Sequence, residues 1–116
     1  MKTICVPKNS EALDKLDYNK TEKGDLFEIS LTDDMFFELS KIGFFQIINE
    51  LAHSNVDNFE DEAITEEIYL NNVLKSDIFS KEKYNVEAFK VIKDIEGLFI
   101  RALECKTGIF FIFNVD

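Results

Sequence analysis

Tryptophan is absent from this chain of 116 residues, proline and histidine occur once each, and glycine occurs four times. So few turn formers exclude a collagen-like, low-complexity or linker-rich architecture. Cysteine is scarce too. Cys5 and Cys105 stand at opposite ends with no CxxC spacing, so no zinc ligand set and no dithiol motif is present. They read as buried free thiols, and a disulfide would require the terminal strands to pair. No apolar stretch approaches the length of a membrane span. The run Met1–Val6 is cut by Pro7-Lys8-Asn9 and is too short for a secretory leader, so the expected location is the cytoplasm.

Positive charge is the other shortage. Thirteen bases face 23 acids, for a net charge of −10. Modules that bind DNA or RNA carry a basic footprint, so this charge argues against direct nucleic-acid binding and repels an anionic membrane. The imbalance is concentrated. Asp25 to Leu70 holds twelve acids and a single base, Lys41, and the rest of the chain is nearly neutral. What the sequence has in plenty is apolar mass: 46% of residues, among them twelve Phe. That supports one domain, residues 1–116, with a core that needs no staples.

Taken in order, Lys2–Val6 reads as a short strand with Ile4 and Val6 on one face. Ser10 and Glu11 open a modest helix with Ala12, Leu13 and Leu16 as its apolar stripe. Lys23-Gly24-Asp25 is a turn, and Leu26–Leu31 a strand. Thr32 is a good N-cap, and Asp33 and Asp34 suit the positive end of a helix dipole, so a long helix is expected to about His53. Its apolar residues fall in two strips: Phe37, Phe44, Ile48 and Leu51 on one side, Met35, Leu39 and Ile42 nearly opposite. Gly43 in the middle costs about 1 kcal/mol against Ala, which a close approach of another backbone would explain.

Ser54–Glu62 reads as a polar connection, with Val56 and Phe59 its apolar members. Thr65, Glu66 and Glu67 open a further helix with Ile64, Ile68, Leu70 and Leu74 as core candidates. Asn85 caps a helix near Val86–Asp94, and Gly97 is a plausible stop. Leu98–Cys105 and Ile109–Val115 then form a C-terminal hairpin across Lys106-Thr107-Gly108. The alternative is one helix from Val86 to Glu104. Ile109–Phe113 is apolar on both faces, so it is expected to be a central strand covered on both sides. The fold class is α+β: a small, mostly antiparallel sheet against three to four helices, including the long one near 32–53.

Chemistry is hard to find. His53 follows a helix end, where a cation is favoured, and capping is the economical role for it. No GxSxG, HExxH, Walker or GxGxxG pattern is present. With 23 carboxylates, some pair at glycosidase spacing is nearly inevitable and carries no weight. Counted from Asp57, the sixth position of an EF-hand loop is Glu62 rather than Gly, and the twelfth is Ile68 rather than Glu. We therefore expect no enzyme, no cofactor and no metal.

Binding remains. Fixed negative charge steers a basic partner and repels acidic competitors. Asp57, Glu60, Asp61, Glu62, Glu66 and Glu67 are the acids best placed for this, with Phe59 beside them as an apolar anchor and Ile64 and Ile68 nearby. In size, acidity and phenylalanine content, and in the block Asp57-Asn58-Phe59-Glu60-Asp61-Glu62, the chain resembles bacterial immunity proteins of toxin–immunity pairs. Those of contact-dependent growth inhibition are among them. The resemblance implies a cytoplasmic protein that binds one cognate basic toxin domain, often a nuclease, and blocks its active or substrate site. A nucleic-acid-mimic inhibitor of a DNA- or RNA-processing enzyme is the alternative. A monomer or weak dimer is expected, and Met35, Leu39 and Ile42 are the candidate self-contact.

Overall fold

Ile4, Cys5, Val6 and Pro7 form a continuous buried apolar run in Lys2–Pro7, as an interior strand buried on both faces requires, and this strand, β1, pairs on both of its edges. The computed structural model describes residues 2–57 and 60–113. Within it β1 is flanked by β2 (Leu26–Leu31) and β4 (Ile109–Ile112), and β3 (Glu62–Ile64) closes the far edge. The strand order is β2-β1-β4-β3, with every pairing antiparallel. Ile4 lies opposite both Ile29 and Phe111, Val6 opposite Phe27, and Ile64 opposite Ile109. Residues directly opposite share a face, so this register gathers the large apolar side chains on one side of the sheet.

Among the described residues five helices accompany the sheet: α1 (Ser10–Asp17), α2 (Asp33–Lys41), α3 (Phe44–Ala52), α4 (Glu67–Lys75) and α5 (Val86–Cys105). A short 3-10 turn at Lys81–Lys83 precedes α5. The α+β class and the antiparallel sheet packed against helices agree with the sequence reading. Asn9, Thr32 and Asn85 cap α1, α2 and α5, each side chain accepting a backbone N–H three residues on.

Two expectations about the helices are corrected. The C-terminal hairpin does not form, because residues 98–105 continue α5. Ala88, Ile92, Ile95, Phe99 and Ala102 keep helical spacing straight through Gly97, and all are buried. Each large side chain buried there contributes roughly 1.5–3 kcal/mol. One helical Gly costs about 1 kcal/mol, so the pattern wins over the breaker. Lys106, with φ 58°, ends the helix, and Gly108, with φ 121°, turns the chain into β4. A Cβ at Gly108 would stand 2.9 Å from the Ile64 carbonyl oxygen.

The long helix near 32–53 is two helices. Gly43 sits at φ 84°, a left-handed conformation that interrupts the ladder. Its purpose is the turn, not a close backbone contact: a Cβ there would meet only the Gln46 side chain, at 3.2 Å. The break resets the helical phase. α2 buries Phe36 and Leu39, and α3 buries Phe44, Phe45, Ile48 and Ala52.

β4 is central, as expected, but it is not fully covered on both sides. Ile109 and Phe111 are buried in the core while Phe110 and Ile112 are half-buried. α1 packs against β1, and its buried Ala12, like Cys5 of β1, stands apart from the main apolar cluster that α2 to α5 build. The expected strand end beyond Phe113 lies outside the described residues.

Candidate functional site

The acidic segment begins where α3 ends. His53 closes α3 in a left-handed conformation, with φ 50°. Asn49, one turn back on α3, anchors the start of the loop beyond it. Its Oδ1 accepts the Ser54 hydroxyl at 2.9 Å and the Val56 N–H at 2.7 Å, and its Nδ2 donates to the Val56 carbonyl at 3.0 Å. Val56 is thereby held into the core. A side chain here supplies the partners that buried backbone groups need and that a strand would otherwise provide.

Asp57 emerges from this anchor. Its Oδ1 accepts the Glu60 N–H at 2.9 Å. Glu62 is half-buried, and its carboxylate serves the loop rather than the solvent. Oε2 accepts the Asn55 N–H at 2.7 Å and Oε1 accepts its neighbour's N–H, that of Ala63, at 3.1 Å. Glu66 is the N-cap residue of α4 and Glu67 its first residue, where the helix dipole favours negative charge.

Of the sequence-selected residues, Glu60, Asp61, Glu66 and Glu67 are exposed, Asp57 and Glu62 are half-buried, and Phe59 lies outside the described residues. The nearby apolar candidates divide. Ile64 is a core residue of β3, whereas Ile68 is 64% exposed on α4. The ion pairs among the described residues are Lys15–Asp25, Lys83–Asp77, Lys93–Glu96 and Arg101–Glu104. None of them draws on Glu60, Glu62, Glu66 or Glu67.

A cavity of about 270 Å³ opens between the end of α3, β3 and the start of α4, and His53, Ser54, Glu62, Glu66 and Tyr69 contribute to its wall. His53 stacks on Tyr69 with ring centroids 5.0 Å apart and planes 17° apart. One of the two carboxylates here, Glu62, is committed to backbone N–H groups. Among the described residues no group of three or more His, Cys, Asp or Glu side chains is placed to hold a metal ion. No helix of the described residues is long and apolar enough to cross a membrane. Both cysteines are free, Cys5 buried and Cys105 half-buried. Burial, reinforced by the Glu28 carboxylate opposite, pushes the Cys5 thiol up to about 11.

Sequence reasoning missed Phe37. In an unbroken helix it would share a face with Phe44 and Ile48. With the break at Gly43 it is 62% exposed, while Phe44 and Ile48 are buried. The opposite strip also dissolves, since Leu39 is fully buried and Ile42 is exposed. Met35, Leu39 and Ile42 therefore do not form one surface for self-association. The Gly43 cost was the signal available in the sequence, because a glycine in mid-helix leaves the phase beyond it undetermined.

No protein-family model, no curated protein and no solved structure matches this chain.

Proposed function

We propose that the chain is a neutralising binding protein, an immunity protein whose acidic surface engages a cognate basic toxin domain, a nuclease being the best chemical fit. The observation that supports this most directly is the state of the acids between α3 and α4. Glu60, Glu66 and Glu67 are exposed to solvent, and none of the ion pairs among the described residues draws on these three. Unpaired like charges raise the potential of the surface they share. A basic partner relieves that repulsion and is drawn in by it. A nuclease is apt because the Lys and Arg with which it grips phosphate are the groups such carboxylates would pair with.

The second strand of support is a rigid mount. Asn49 holds Val56 and Glu62 holds Asn55 by hydrogen bonds, so these contacts need not be ordered on binding, which lowers the entropy cost of association. The test is co-expression with the toxic domain encoded beside the chain's own gene. Growth should be restored, and the isolated pair should associate more slowly as salt rises through roughly 50–500 mM. An affinity indifferent to salt, or an adjacent gene with no toxic product, counts against the proposal. Inhibition of many unrelated nucleic-acid enzymes would favour phosphate mimicry instead.

A further inference from the structure

A groove of about 400 Å³ runs between α2, α3 and the Asn55–Asp57 loop. Phe36 and Phe45 floor it, exposed Phe37 forms one wall, and Gln46 and Asp57 stand at its margin. The floor is stiff. Phe36 stacks on Phe45 at 5.4 Å, and both rings meet Phe113 edge-on, at 5.3 and 5.6 Å. Phe37 extends this aromatic array to the surface, 6.0 Å from Phe36. A large aromatic wall on a rigid apolar floor has the character of a binding hot spot rather than of stray surface.

The charge around the groove selects the occupant. Asp33 and Asp34 stand one turn before Phe37 on α2 and are exposed, Glu50 stands one turn after Gln46 on α3, and Asp57 lines the groove itself. Lys41 is the only Lys or Arg on α2, α3 and the loop beyond α3, and from β1 the buried Lys2 ammonium lies over the Phe36 ring at 4.8 Å, beneath the floor, where it donates to the Phe113 carbonyl. An apolar slot rimmed in this way suits a segment that alternates apolar and basic side chains. The apolar ones displace water from Phe36, Phe37 and Phe45, and Lys or Arg reach Asp33, Asp34 and Asp57. A guanidinium can also lie on the Phe37 ring.

We infer that this groove is the docking point for a basic, amphipathic segment of the partner protein, an inference that rests on the neutralising reading above. It adds an apolar anchor on α2 to the acids of the 57–67 segment.

The experiment uses the full chain and two synthetic peptides of equal charge, one alternating Lys with Leu, the other Lys with Ser. Binding is followed by fluorescence anisotropy and by amide NMR shifts. The Lys/Leu peptide is expected to bind more tightly and to shift Phe37, Gln46, Asn49 and Asn55. Phe37→Ser should weaken it at least about tenfold while leaving the Lys/Ser peptide unaffected. Gln46→Lys, at an exposed position that leaves the core intact, should weaken both. If Phe37→Ser changes nothing while salt and acid-to-amide substitutions still weaken binding, the groove is not the anchor and acidic capture stands. If neither peptide binds at low salt, acidic capture itself fails. Two results would overturn the inference in favour of another occupant. One is a micromolar dimer that Phe37→Ser dissolves. The other is ring contacts in the free protein showing that the chain's own Phe59 fills the groove.

Discussion

Asn49 satisfies both backbone polar groups of Val56, accepting the N–H at 2.7 Å and donating to the carbonyl at 3.0 Å. One side chain on a helix thereby sets where the acidic loop leaves the core. Asn49→Leu keeps the branched shape and removes both bonds to Val56, together with the acceptor of the Ser54 hydroxyl, leaving a partly buried N–H and C=O without partners. The expected loss is about 1–3 kcal/mol in urea unfolding. Asn49→Asp keeps the acceptor and loses only the donor, so it should be milder on stability. A Leu variant as stable as the parent would mean the loop is held by something else.

Gly43 separates α2 from α3 at φ 84°. Gly43→Ala places a Cβ in a left-handed conformation, at roughly 1–2 kcal/mol. Helix propensity would predict the opposite sign, because Ala is the better helix former by about 1 kcal/mol. Thermal melts decide between them. A lower Tm supports the broken helix, and a higher one would indicate that residues 33–52 run on continuously.

The Cys5 thiol is pushed up to about 11 from its ordinary value near 9 by burial and by Glu28. A raised thiol keeps its proton in the folded state after the unfolded chain has lost it. Stability from this group is complete below pH 9 and is lost as pH rises towards 11. Urea midpoints should fall across that window, and Cys5→Ala should flatten the fall. At neutral pH a thiol reagent should label half-buried Cys105 well before Cys5.

Glu60, Glu66 and Glu67 have solvent on their carboxylates. The triple variant Glu60→Gln, Glu66→Gln, Glu67→Gln should fold normally. It should associate with a basic partner about tenfold more slowly at low salt, with the dissociation rate little changed. The difference should shrink once the Debye length falls to about 3 Å near 1 M salt. An unchanged association rate would remove these three from the encounter surface.

Much of the fold was legible. β1 follows from its short apolar run, β2 from alternation, the starts of α2 and α5, though not their ends, from the Thr32 and Asn85 caps, and the class from the mix of periods. β3 was not, because Glu62–Ile64 has three residues and too little pattern, and only its pairing with Phe111, Phe110 and Ile109 makes it a strand. The candidate site was half legible. Charge identified the acids, yet it did not reveal that Glu62 is committed to Asn55 and Ala63, or that Phe37 faces out.

The sequence by itself determined where the negative charge lies along the chain and which segments carry helical or strand periodicity, because both are properties of residue order. The tertiary structure alone decided what lies next to the acids. Gly43 rotates Phe37 out of the core, Asn49 reaches across seven residues to Val56, and α5 continues through Gly97 because the sheet offers Ile92, Ile95 and Phe99 a place to be buried. Each outcome depends on the free energy of a contact between distant residues, and local pattern does not encode which contacts will be made.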